Sequence, residues 1–195
     1  IIRFSNALCY SDTPLIPLRQ YGKDRLPPLE HVYIANGYRE GHNHRVINRP
    51  EAEAIVNRIV EMCRDRRYDS KTMGVVVLQG EAQASLIENL LLKQVGSEVI
   101  ESKRILCGNP YSFQGDERDI ILLSMVAATN ERIGPYSDAS YVRRFNVAAS
   151  RARDQMILFH SVRRDDLSAK DLRRRLLEFF ESPIVRNIGG IDKDT

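Results

Sequence analysis

The chain has 195 residues, a length that suits one domain, with 43% hydrophobic and 28% charged side chains. That balance supports a buried core and excludes a disordered or fibrous chain. No apolar run approaches a membrane span and no signal-peptide pattern is visible, while a net charge of +3 and a pI near 8.8 suit a nucleic-acid partner without requiring one.

The first residue is Ile1, not Met, which reads as a piece of a longer protein. Residues 1–49 are irregular, punctuated by Pro14, Pro17, Pro27 and Pro28, with a short strand at HVYIANG (31–37). From Pro50 the pattern is helical, placing Ala54, Ile55, Ile59, Met62 and Cys63 on one face. Pro50 suits a first helical turn, and Glu51 and Glu53 favour its positive end.

GVVVLQG (74–80) reads as a buried strand and EAQASLIENLLLKQV (81–95) as an amphipathic helix. RILCG (104–108) and DIILLSMV (119–126) are further strands, the second apolar on both faces. YVRRFNVAASRA is helical, QMILFHSV (155–162) is a strand, and 168–181 is a helix with Ser168 as its expected cap. Strands alternating with helices predict an α/β fold: a mainly parallel sheet with helices on both faces. Ligands in such sheets gather at the carboxyl ends of strands. The expected organisation is a lead-in over 1–49, one domain over 50–182, and a tail or linker over 183–195.

Several chemistries find no support. G-x-x-x-x-G-K-[ST] is missing, so the chain lacks its own Walker A phosphate loop, and there is no G-x-S-x-G elbow. Cys9, Cys63 and Cys107 are an odd set without C-x-x-C, which argues against a disulfide framework or zinc site and for a reducing, cytoplasmic setting. His42 and His44 alternate in a loop without a third ligand and read as loop residues, so no metal ligand is assigned. Asp192, Lys193 and Asp194 hint at a nuclease but have no acidic companion.

Arginines crowd the last third of the chain, and Arg173–Arg175 reads equally as a solvated helix face. Within 143–155, Arg144, Ala148 and Arg151 share one helical face, Phe145, Ala149 and Ala152 a neighbouring one, and Arg153 points away. Such a helix either carries a charged exterior or delivers a guanidinium to a phosphate.

Phe113-Gln114-Gly115-Asp116-Glu117 before a buried strand, and Asn146-Val147-Ala148-Ala149-Ser150-Arg151-Ala152 after it, resemble two motifs in the second RecA-like domain of superfamily 1 DNA and RNA helicases. The branch is that of the nonsense-mediated-decay helicase, and bacterial helicase-like proteins are the nearest in character. The resemblance covers 74–162 well and the flanks loosely. It implies a RecA-like domain of the P-loop NTPase type, with Glu117 facing nucleotide, Gln114 and Gly115 shaping the turn, and Arg151 as arginine finger. It also implies ATP with Mg2+, held mainly by a first RecA-like domain that this sequence does not contain. Single-stranded DNA (or RNA) is the implied substrate, with Gly80, Gln83, Ser112, Asn146 and Arg144 on the side facing it. Relatives carry Thr-Pro-Tyr where this chain has Leu78-Gln79-Gly80, leaving backbone N–H groups as the phosphate contact there. The competing expectation is a RecA-like module that binds nucleic acid or a protein without turning over ATP.

Overall fold

The structure, a computed structural model, describes Asn6 and residues 26–182. The first part of the expected lead-in and the 183–195 tail lie outside the described residues.

Among the described residues, five strands form one sheet in the order β1-β5-β4-β2-β3, with every neighbouring pair parallel. They are β1 (Leu29–Tyr33), β2 (Met73–Val77), β3 (Leu106–Gly108), β4 (Arg118–Ala128) and β5 (Ala152–Ser161). The helices are α1 (Arg49–Cys63), α2 (Glu81–Gln94), α3 (Gly96–Ser102), α4 (Ala139–Ser150) and α5 (Leu172–Glu181). This is the α/β, RecA-like architecture expected, with helices covering both faces.

Alternation along β4 explains the two layers. Ile120 and Leu122 point to the face where α1 and α2 bring Ile55, Ile59, Ile87 and Leu91. Ile121 and Leu123 point to the other face, packed by Phe145 and Ala148 of α4 and Leu176 and Leu177 of α5. Each fully buried aliphatic side chain contributes about 1.5–3 kcal/mol relative to exposure.

Several boundaries differ from the sequence-based expectation. β1 begins earlier than expected and pairs with β5 in the same sheet, and Asn48 caps α1 by accepting from the Glu51 N–H. α3 starts at Gly96, which takes a left-handed turn, and does not stand out in the sequence as a separate period. α4 stops at Ser150, because Ala152 already pairs with Arg118 across the sheet; Ala152 and Arg153 are strand residues, not helical ones. Asp171, not Ser168, caps α5, accepting from the Arg173 N–H. The arginine run also divides. Arg173 is buried in an ion pair with Asp171 and stacks over Tyr136 at 4.0 Å, whereas Arg175 is exposed.

Gly74 ties the fold to the turn at 114–117. A Cβ there would meet Phe113 Cε1 at 2.6 Å, Ile121 Cδ1 at 2.9 Å and Arg118 Cγ at 3.1 Å. All three neighbours are buried and cannot yield cheaply. Gly74→Ala is therefore expected to destabilise by about 1–3 kcal/mol through overpacking, read as a drop in thermal midpoint of roughly 2–10 °C. An unchanged midpoint would mean that Phe113 relaxes freely.

Candidate functional site

The two motifs meet at the amino ends of β4 and β5. The Arg118 N–H donates to the Arg151 carbonyl at 3.0 Å, so the turn at 114–117 and the end of α4 lie side by side. The carboxyl-end rule for parallel sheets does not describe this group, because the turn enters β4 rather than leaving it.

Local chemistry builds the turn. Asn109 caps a short 3-10 segment (Pro110–Phe113) by accepting from the Tyr111 and Ser112 N–H groups. Phe113 is buried against Gly74 and fixes the segment's end. Gly115 then takes φ +78, where a Cβ would meet no atom but an L side chain would be strained, so glycine is needed for its backbone alone. Gln114 and Ser112 are exposed. Asp116 pairs with the buried Arg118 guanidinium, which holds the Asp116 carboxyl below its usual range.

Arg151 caps α4 and folds back over the helix end. Its Nε donates to the Val147 carbonyl at 3.2 Å, Nη1 to the Phe113 carbonyl at 3.3 Å, and Nη2 to Ser150 Oγ at 2.8 Å. These acceptors are all neutral, so the charge of this half-buried guanidinium is not compensated by them. Its neighbours differ: Glu117 Oε2 accepts from Arg153 Nε at 2.9 Å, and Lys71 pairs with Asp154. Helical spacing turns Arg153 away from the site. Its strand position brings it to Glu117 instead, and only the observed end of α4 reveals this.

The remaining candidates lie elsewhere. Gly80 caps α2 at the carboxyl end of β2, where an added Cβ would meet the Val46 carbonyl oxygen at 2.5 Å. Arg144 reaches toward the same corner, with Nη2 donating to the Leu78 carbonyl at 3.5 Å and the guanidinium 5.7 Å from the Tyr141 ring centroid. Asn146 is half-buried on α4. Gln83, expected on the nucleic-acid side, points inward. It is fully buried, accepting from the Asn48 N–H at 2.9 Å and donating to the Asn48 carbonyl and Ser124 Oγ. Its amide is spent inside the protein. Among the described residues, no group of three His, Cys, Asp or Glu side chains is placed to hold a metal, and no helix is long and apolar enough to cross a membrane.

A family model described as an AAA domain matches residues 4–163. The chain belongs to this family. Its relatives carry the helicase theme. "Uncharacterized ATP-dependent helicase MG140" of Mycoplasma genitalium is 30% identical over 191 residues, 91% of this chain and 16% of that protein. "DNA replication ATP-dependent helicase/nuclease JHS1" of Arabidopsis thaliana is 30% identical over 128 residues, 64% of this chain and 9% of its own length. "Probable RNA helicase armi" of Drosophila melanogaster is 43% identical over 70 residues, 33% of this chain and 6% of its own length. This member of the AAA domain family thus spans a small part of the helicases it resembles.

Proposed function

We propose that the chain is the C-terminal motor domain of an ATP-dependent helicase or translocase acting on single-stranded nucleic acid, with DNA as the favoured substrate. The observation that carries this reading is Arg151: a half-buried guanidinium at the amino edge of the sheet, fixed by three neutral acceptors. Such an arginine is preorganised for a polyphosphate and keeps its charge for the transferring group. Bound ATP, with its Mg2+, supplies a phosphoryl group for transfer to water, and a partner RecA-like domain of the parent chain holds most of it. This chain's part is to present Arg151 to the γ-phosphate side and Glu117, released from Arg153, to the nucleotide. Gln114 and Gly115 shape the turn between them. The opposite edge, with Gly80, the start of α2 and Arg144, faces nucleic acid.

The test compares nucleic-acid-stimulated ATP hydrolysis by the parent chain with that of this chain alone. Stimulated turnover by the parent and none by the 195-residue chain is expected. A parent that binds single strands without hydrolysing ATP would replace the motor with a binding module.

A further inference from the structure

At the carboxyl end of β4, far from the turn at 114–117, lies a group of buried polar side chains to which the motor reading gives no role. Glu51, in the first turn of α1, is fully buried. Its Oε1 accepts from Ser124 Oγ at 2.6 Å and from the Val126 N–H at 2.9 Å. Val126 has φ +68, an unfavourable conformation for a β-branched residue, and sits where the β4–β5 register shifts between Ser124 and Ala128. Its carbonyl is reached by Asn48 Nδ2 at 3.4 Å, and the same nitrogen donates to Ser161 Oγ at 2.9 Å. Gln83 in turn holds the Asn48 backbone from α2. Both backbone polar groups of the strained residue are therefore claimed by side chains from the start of α1.

Glu51 acts here without a cation. The groups bearing on it are the Ser124 and Ser161 hydroxyls and the Met125 and Val126 amides, and burial pushes its carboxyl up to about 8. At neutral pH it is mainly the uncharged acid, which accepts through one oxygen at less desolvation cost than a carboxylate. A strained residue persists where its surroundings over-determine it, and such places cluster at functional positions.

The bulge also sets the course of the chain beyond it, because the 129–138 loop begins directly after β4. Asn130 exchanges hydrogen bonds with the Arg39 backbone, at 2.8 and 2.9 Å, and Arg39 pairs with Glu131. The loop then leads into α4, which carries Arg144. We propose that Glu51 is a positioning residue: by holding Val126 in its left-handed conformation it aims the 129–138 loop at the nucleic-acid edge, and so sets how strongly nucleic acid stimulates the motor. Arg151 has separate anchors at the opposite edge, so basal hydrolysis does not depend on Glu51. The proposal rests on the motor reading.

The experiment measures ATP hydrolysis by the parent chain against single-stranded oligonucleotide concentration, for wild type, Glu51→Leu and Glu51→Gln. Leucine fills the space and removes both oxygens; glutamine keeps one acceptor. Glu51→Leu is expected to raise the half-stimulating concentration by roughly tenfold, with basal hydrolysis and stimulated maximum within about twofold of wild type. Glu51→Gln is expected to stay near wild type. If Glu51→Leu does not fold, Ser124→Ala is read in its place, with a smaller shift in the same direction. An unchanged half-stimulating concentration in the variant that folds overturns the proposal. So does an equal loss in basal and stimulated rates, which a merely structural role would give. If the wild-type parent hydrolyses no ATP, it is the motor reading that fails. The proposal, which concerns stimulation of that motor, then falls with it.

Discussion

Arg151→Ala in the parent chain is expected to lower stimulated ATP turnover by on the order of 10³–10⁵, while ATP affinity changes by no more than about threefold. The asymmetry comes from where the arginine acts. Its side-chain bonds go to three acceptors, the Val147 and Phe113 carbonyls and the Ser150 hydroxyl, so alanine strands no buried carboxylate and the fold loses little. What disappears is a positive charge positioned for negative charge that develops as the phosphoryl group transfers. Arg151→Lys is not expected to restore the rate, because an ammonium cannot make the same set of directed bonds. Arg153→Ala serves as the internal comparison. It frees Glu117 from an exposed ion pair, whose direct stability contribution is small, about 0–1 kcal/mol. If Arg151→Ala turns over ATP at the wild-type rate, the end of α4 is structural and the binding-module reading takes over.

The second large effect is on stability against pH. Glu51 titrates near its ordinary value of 4.5 when unfolded and at about 8 when folded. The folded state therefore holds the proton more tightly. The stability this contributes is complete below the unfolded value and is lost as pH rises through the folded one. Each pH unit across that window costs about 1.4 kcal/mol, so the full loss is on the order of 5 kcal/mol. Glu51→Gln carries no titrating group and should show none of this slope. Urea denaturation at several pH values between 5 and 8, taken as the difference between wild type and Glu51→Gln, isolates the effect. The difference is needed because His160, its pKa lowered by burial, contributes with the opposite sign in the same range. Parallel curves for the two proteins would show that Glu51 is ionised in the folded state.

Much of the fold was legible in local pattern. Apolar residues at helical spacing marked α1 and α2, and continuous apolar runs marked β2, β4 and β5, because burial on both faces leaves no polar alternation. The turn at 114–117 was legible as well, since Gly115 breaks the pattern directly before a buried apolar run. Those features are properties of neighbouring residues, and the amino-acid order by itself determined them.

Side-chain fates were decided only by tertiary packing. Glu51 looked like an acid complementing a helix terminus, and Gln83 like a polar residue beside a phosphate contact; both are buried because α1 and α2 close over the bulged end of β4. Arg153 faces Glu117 because α4 ends at Ser150 and the chain is already strand at Ala152, where the helical pattern would have continued. Arg151, expected at the nucleotide, and Gly80, expected on the nucleic-acid side, lie at opposite ends of the sheet. Local periodicity tells which face of an element is apolar. Which polar group that face encloses, and what partner meets it there, depends on residues as distant as the 113 positions between Asn48 and Ser161, and only the assembled sheet brings those together.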